Sequence, residues 1–149
     1  MTTRHSGFTL LEVLVVLALL AMIYALVPPM INIGGSTAEL KAGARQVAAG
    51  LRKARSQAIV SRDEATLTVD VEARNFWLKG EGKPRSLPRQ AEIGVFTSQG
   101  EVVDATTAAI RFYPDGSSTG GRVTLAMGER KFHVDVDWLT GQVEIVDTP

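Results

Sequence analysis

Residues 13–33 form an unbroken run of 21 residues without a single charge, and this run limits the folds open to the chain more than any other feature. As one helix it would reach roughly 30 Å, about the thickness of a bilayer's hydrocarbon core. Three readings compete. A buried core helix would not need to be apolar on every side. A cleaved secretory signal has a shorter apolar stretch, of roughly 7–15 residues, and no small-x-small cleavage site stands clearly at the end of this one. A retained single-pass anchor fits in length. Arg4 precedes the run and most of the polar chain follows it. The positive-inside tendency then puts the N-terminus in the cytoplasm and the residues after about Gly34 on the far side. Pro28-Pro29 predicts a bend or break near Pro28, toward the end of the run, and Gly34-Gly35-Ser36 a flexible or capping point after it. One carboxylate, Glu12, stands at the very start, where a plain anchor has no use for it.

Beyond the run the hydrophobic period changes once. Leu40, Ala44, Val47, Leu51, Ala54 and Ala58 recur at spacings of three and four, which predicts an amphipathic helix over Thr37 to Ser61, either a second helix or the continuation of the first. Lys41, Arg45, Arg52 and Arg55 fall on a neighbouring stripe, and between residues 38 and 62 six basic residues face one acid, Glu39. That stripe reads as a solvated helix face or as a basic contact surface for a partner or lipid headgroups. After Asp63 the period becomes 2. Ala65, Leu67, Val69 and Val71 alternate with polar residues, and Phe76 and Leu78 follow a short turn. Residues 80–90 read as a loop. Further strands are predicted around Ile93 and Val95, Ile110 and Phe112, Val123 to Met127, Phe132 to Trp138, and Val143 and Ile145, the last two joined by a tight hairpin at Thr140-Gly141. The expected fold class is therefore α+β: one long N-terminal helix, membrane-spanning in its first half and amphipathic in its second, followed by a β-rich head built as an antiparallel sheet or two packed sheets.

No catalytic or metal chemistry stands out. The chain has no cysteine and two histidines. His133, Asp135 and Asp137 share one strand face, opposite Phe132, Val134, Val136 and Trp138, and a solvated face explains them more simply than a cation site. Ser117, His133 and Asp135 make a triad only on paper, with no nucleophile-elbow pattern. The stretch PDGSSTGG, residues 114–121, lacks the lysine and the strand–helix context of a phosphate loop. It reads as a strand-joining loop, with Asp115, Gly116, Ser117 and Ser118 as a candidate partner-contact surface. Expected catalytic residues, metal and cofactors are none.

The N-terminal "GFTLLE", after a short polar leader with Arg4 and before about twenty apolar residues, resembles the type IV pilin-like family. Toward the C-terminus, "IRFYPDGSSTGGRVTL" and "DVDWLTGQVEI" resemble the branch of that family containing minor pseudopilin H of type II secretion and the FimT pilus proteins. The resemblance implies a helix whose first half lies in the membrane and whose second half packs on an antiparallel head of two sheets in a sandwich-like arrangement. It also implies cleavage by prepilin peptidase after Gly7 and N-methylation of Phe8. It makes Glu12 the acidic fifth residue of the mature chain, and an assembly contact. Physically, cleavage would leave a charged amine at Phe8, with Glu12 in the first helical turn, where the helix dipole favours a negative charge. Glu12 would pair with the amine of a neighbouring subunit, or else pair with its own amine or simply be tolerated there.

The implied parts are a leader (1–7), a transmembrane and assembly helix (8–33), its amphipathic continuation (34–62) and a periplasmic β-rich head (63–149). The implied function is that of a minor pseudopilin in the inner membrane, non-enzymatic, near the tip of a type II secretion pseudopilus that assists export of folded proteins. Its implied partners are prepilin peptidase, the major pseudopilin and minor pseudopilins I, J and K. The first rival is a minor pilin of the FimT kind that binds DNA. Without leader and anchor the chain holds 15 basic and 15 acidic residues, which argues against nucleic acid. The second rival is a membrane-anchored periplasmic enzyme, for which no convincing site is present.

Overall fold

The computed structural model describes residues 9–26, 31–97 and 106–148. The chain divides into two compact units, Met1–Gly34 and Gly35–Pro149. Two helices come first: α1 (Leu10–Leu26) and α2 (Ile31–Ser61). Eight strands follow: β1 (Ala65–Asp70), β2 (Asn75–Leu78), β3 (Arg85–Ser86), β4 (Glu92–Thr97), β5 (Thr107–Phe112), β6 (Gly121–Met127), β7 (Arg130–Val136) and β8 (Val143–Thr148).

The helical part corrects the single-pass reading. Among the described residues no helix is long and apolar enough to cross a membrane. The charge-free run is not one described helix. Its first part lies in α1, whose 17 residues span roughly 25 Å, and its last residues open α2, which then carries Glu39 and five basic side chains. The expected membrane-spanning half, the inner-membrane anchorage and the cytoplasmic-to-periplasmic topology are therefore not supported. The bend expected at Pro28-Pro29 lies outside the described residues, as do the leader, Gly7 and Phe8. At residues 34–36 the backbone is helical, where a flexible or capping point was expected.

From Thr37 onward α2 follows its sequence period. Leu40, Ala44, Val47, Leu51, Ala54 and Ala58 are all fully buried, together with Ala48 on the same face. The strands form two four-stranded antiparallel sheets, ordered β3-β2-β1-β5 and β4-β6-β7-β8. They are not closed on each other as a sandwich, which corrects the second part of the expected fold class. The reason lies in the helix. Its apolar stripe belongs to the same core as Leu67, Val69 and Phe76 of the first sheet and Val123, Leu125, Phe132 and Val134 of the second. Each sheet therefore has a helix face to cover its apolar side and need not use the other sheet. Period-2 alternation shows that one face of a strand is buried, but not what buries it.

Two glycines let α2 approach this closely. A Cβ on Gly50 would lie 2.9 Å from both Leu67 Cδ1 and Phe76 Cε2. One on Gly43 would lie 2.8 Å from two ring carbons of Pro88 and 3.1 Å from Leu125 Cδ2. In an open helix Gly→Ala stabilises by about 1 kcal/mol. Gly43→Ala is expected to do the reverse and destabilise by about 1–2 kcal/mol, because the proline ring has little freedom to yield. Urea unfolding followed by tryptophan fluorescence checks the sign.

The predicted turns form with identifiable local chemistry. Between β1 and β2 the Asp70 carboxylate accepts the Ala73 amide at 2.7 Å, and Arg74 takes a positive φ. The stretch expected as a loop over 80–90 includes the two-residue strand β3. Trp138 departs from expectation. The strand ends at Val136, and Trp138 is 65% exposed in the following turn, not on the buried face.

Candidate functional site

Glu12 lies in the first turn of α1 and is exposed. Its amide donates to the Thr9 hydroxyl at 3.3 Å and to the Thr9 carbonyl at 3.0 Å. Thr9 thus caps the helix, its hydroxyl and carbonyl together holding a first-turn amide that has no partner one full turn back. Thr9-x-x-Glu12 is the sequence signature of a capping box, so the role of Thr9 was readable from spacing. A carboxylate in this turn also complements the helix dipole. Gly7 and Phe8 lie outside the described residues.

The stretch 113–120 links β5 to β6, and hence one sheet to the other. Its four singled-out residues do not act alike. The Asp115 carboxylate accepts the Ser117 amide at 2.9 Å and the Ser117 hydroxyl at 2.6 Å. These bonds, the hydroxyl's first, hold the Asp115 carboxyl below the usual range. Ser118 is buried; its amide donates to the Trp138 carbonyl at 2.8 Å, and its hydroxyl accepts the Gly120 amide at 3.0 Å. Gly116 is buried too, and its carbonyl accepts Arg55 Nε at 3.1 Å. Asp115 is therefore exposed and Ser117 half-buried, while Gly116 and Ser118 bind the loop to the head.

A second turn, 137–142, joins β7 to β8 beside this loop. The Asp137 amide donates to the Gln142 carbonyl at 3.0 Å, and Gly141, at φ +63°, returns its amide to the Asp137 carbonyl at 2.9 Å. The connection is a four-residue loop, longer than the tight Thr140-Gly141 hairpin expected. The Asp137 carboxylate accepts the Thr140 amide at 2.7 Å, the Thr140 hydroxyl at 2.8 Å and the Leu139 amide at 3.1 Å. The Thr140 bonds above all lower its pKa. A group with a depressed folded pKa stabilises above its unfolded value and loses that contribution as pH falls through the folded one. The turn is thus expected to weaken on acidification into and below the ordinary carboxylate range. Asp137→Asn should flatten that part of the pH dependence of the unfolding midpoint relative to the parent chain.

Half of the basic stripe on α2, Arg52 and Arg55, is engaged by the head, and so is the neighbouring Lys53. Arg52 Nη2 donates to the Val143 carbonyl at 3.0 Å, Arg55 holds Gly116, and Lys53 pairs with Glu81. Arg45 and Lys41 are exposed. Periodicity placed these side chains beside the apolar stripe but carried no sign of the carbonyls opposite them. On β7, His133 Nδ1 lies 3.0 Å from Thr124 Oγ1, and Asp135 binds Arg122 through both carboxylate oxygens at 2.5 and 2.9 Å. His133, Asp135 and Asp137 thus have three separate partners, and Ser117 is bound to Asp115. Neither a shared cation nor a triad is assembled from them.

The family model described as Type II transport protein GspH matches residues 43–140, and that of the prokaryotic N-terminal methylation motif matches residues 2–27. The type II secretion system protein H of Xanthomonas campestris pv. campestris is 35% identical over 138 residues, covering 92% of this chain and 80% of its own length. In fold, the minor pseudopilin EpsH from the type 2 secretion system of Vibrio cholerae is similar, with a TM-score of 0.57 at 14% identity, over 73% of this chain and 97% of that one. The type IV minor pilin FimU of Pseudomonas aeruginosa matches with a TM-score of 0.55 at 10% identity, over 71% of this chain and 91% of that one.

Proposed function

The chain belongs to the GspH family of type II transport proteins, a structural subunit of the minor pseudopilin or minor pilin kind and not an enzyme, and from that premise we propose that it serves type II secretion. In this reading it joins a short pilus-like fibre near its tip and assists export of folded proteins across the outer membrane. The observation that carries the choice of secretion over pilus biogenesis is the 35% identity to a type II secretion protein H across nearly the whole chain. The fold is neutral between the two, because its similarity to a pseudopilin and to a pilus minor pilin is nearly equal. Proposed partners are the major pseudopilin and minor pseudopilins I, J and K. Nucleic acid is not among them, since Arg52, Lys53 and Arg55 are engaged within the head.

The N-terminal methylation motif makes the chain a prepilin-peptidase substrate. We assign cleavage to the bond after Gly7 and methylation to Phe8. Glu12, exposed in the first turn and capped by Thr9, then presents its carboxylate to the amine of an adjacent subunit. In a strain producing the peptidase and the proposed pseudopilins, mass spectrometry should find the mature chain starting at methylated Phe8. Glu12→Gln should still be cleaved but should drop out of the complex recovered with the other pseudopilins. Its undiminished recovery there would refute the pairing. Recovery of the parent chain with pilus subunits and not with pseudopilins would move the protein to the other machine.

A further inference from the structure

Sheet β4-β6-β7-β8 ends at β8, and among the described residues no strand lies beyond it. Sheet edges are usually guarded by lysine, proline or a bulge. This one, VEIVDT, is six residues long and has none of these; its two charged side chains are Glu144 and Asp147, and Asp147 lies 3.8 Å from Arg130. Its charges are acidic. Register aligns Phe96, Arg122, Asp135 and Glu144 in one row across the four strands. Arg122 is the only cation in that row and binds Asp135 with both ends of its fork. Glu144 therefore stands at the open edge, directly opposite a second carboxylate. Arg122 is spent on Asp135, so the row leaves Glu144 with one uncompensated negative charge beside another carboxylate, and a cation at the next position outward would balance it.

The surroundings of Glu144 supply an apolar component. Glu144 and Asp135 line one recess of about 500 Å³ with Val136, Asp137, Leu139 and Thr140. Leu139 and the adjacent Trp138 are 63% and 65% exposed, and Val146, two residues along the same face of β8, is 41% exposed. Pairing with β8 of a second copy does not meet these demands. If its β8 extended the sheet with the same face outward, Glu144 would meet only Glu144, Val146 or Thr148 of that copy, none of them a cation.

We propose that β8 receives an extended basic segment of another protein as a fifth strand. A lysine or arginine of that segment stands opposite Glu144, and apolar side chains two residues to either side meet Val146 and Leu139. Main-chain bonds give the addition its affinity, and the alternating side chains give its specificity. The proposal is independent of which fibre the subunit joins, because it concerns only this edge.

The test uses the full-length chain and two synthetic peptides, Thr-Val-Thr-Lys-Thr-Val-Thr and the same sequence with glutamate in place of lysine. Binding is read by Trp138 fluorescence, and its place by amide hydrogen exchange. The lysine peptide should bind about tenfold more tightly than the glutamate peptide at low salt. It should also slow exchange within residues 143–148. Glu144→Gln should bring the two affinities together while leaving the unfolding midpoint equal or higher, since it removes an uncompensated negative charge. Equal affinities for the parent chain, protection elsewhere, no binding, or a preference that survives Glu144→Gln would each overturn the proposal.

Discussion

Gly141→Ala is expected to destabilise the head by about 3 kcal/mol, a large share of the total stability of a unit this size. Two costs combine. The residue sits at φ +63°, where any side chain adds about 1–2 kcal/mol of backbone strain. The new methyl would also overlap the Gly116 carbonyl oxygen and come within 2.9 Å of Arg55 Nε, for about another 1–3 kcal/mol. Gly116 and Arg55 are bonded to each other, so neither can give way without loosening the α2–loop tie. Gly128 provides the control. It too has positive φ, at +60°, but a Cβ there meets nothing within 4 Å. Gly128→Ala should therefore show the strain alone. Thermal unfolding should place Gly141→Ala roughly 10–15 °C below the parent chain and Gly128→Ala much closer to it. Equal shifts for the two would mean that the clash is absent and the two turns are not locked together.

Phe76→Ala is expected to cost about 3–5 kcal/mol, as deletion of a fully enclosed ring does. The ring lies against Gly50 of α2, so its removal opens space where an added Cβ is otherwise too close. Gly50→Ala alone is expected to destabilise by about 1 kcal/mol, because the clash outweighs the helix propensity gained. In the Phe76→Ala background the same change should become neutral or stabilising. The double-mutant cycle should then show a coupling of about 1–2 kcal/mol. Strictly additive effects would show that α2 does not pack on β2 at this point.

The contrast between these positions explains which parts of the fold were legible in sequence. The stripe from Leu40 to Ala58 could be read because a helix repeats every 3.6 residues wherever it packs. The strand series could be read because period 2 is equally local. Glu12 announced itself by standing alone beside an apolar run, whereas the Thr9 cap, although its spacing from Glu12 encodes it, emerged only with the start of α1. Gly50 and Gly141, by contrast, look like any glycine until Phe76 and Gly116 are brought against them. Arg52 and Arg55 suggested a basic surface until the Val143 and Gly116 carbonyls were placed opposite them. Trp138 was assigned to a buried face by alternation, yet the Asp137 turn ends the alternation two residues earlier than the apolar pattern suggests.

Two properties set by local chemistry, hydrophobic period and motif spacing, thus determined the element types, the helix face that is buried and the family to which the chain belongs. Two others depended on contacts between separate segments. These were the use of α2 as a shared floor for two unclosed sheets, and the place of Glu144 at the edge of one of them. An alternating strand records a buried face but not its cover, nor which strand is left at the edge. Those choices were made by packing and pairing between segments that only the folded chain brings together.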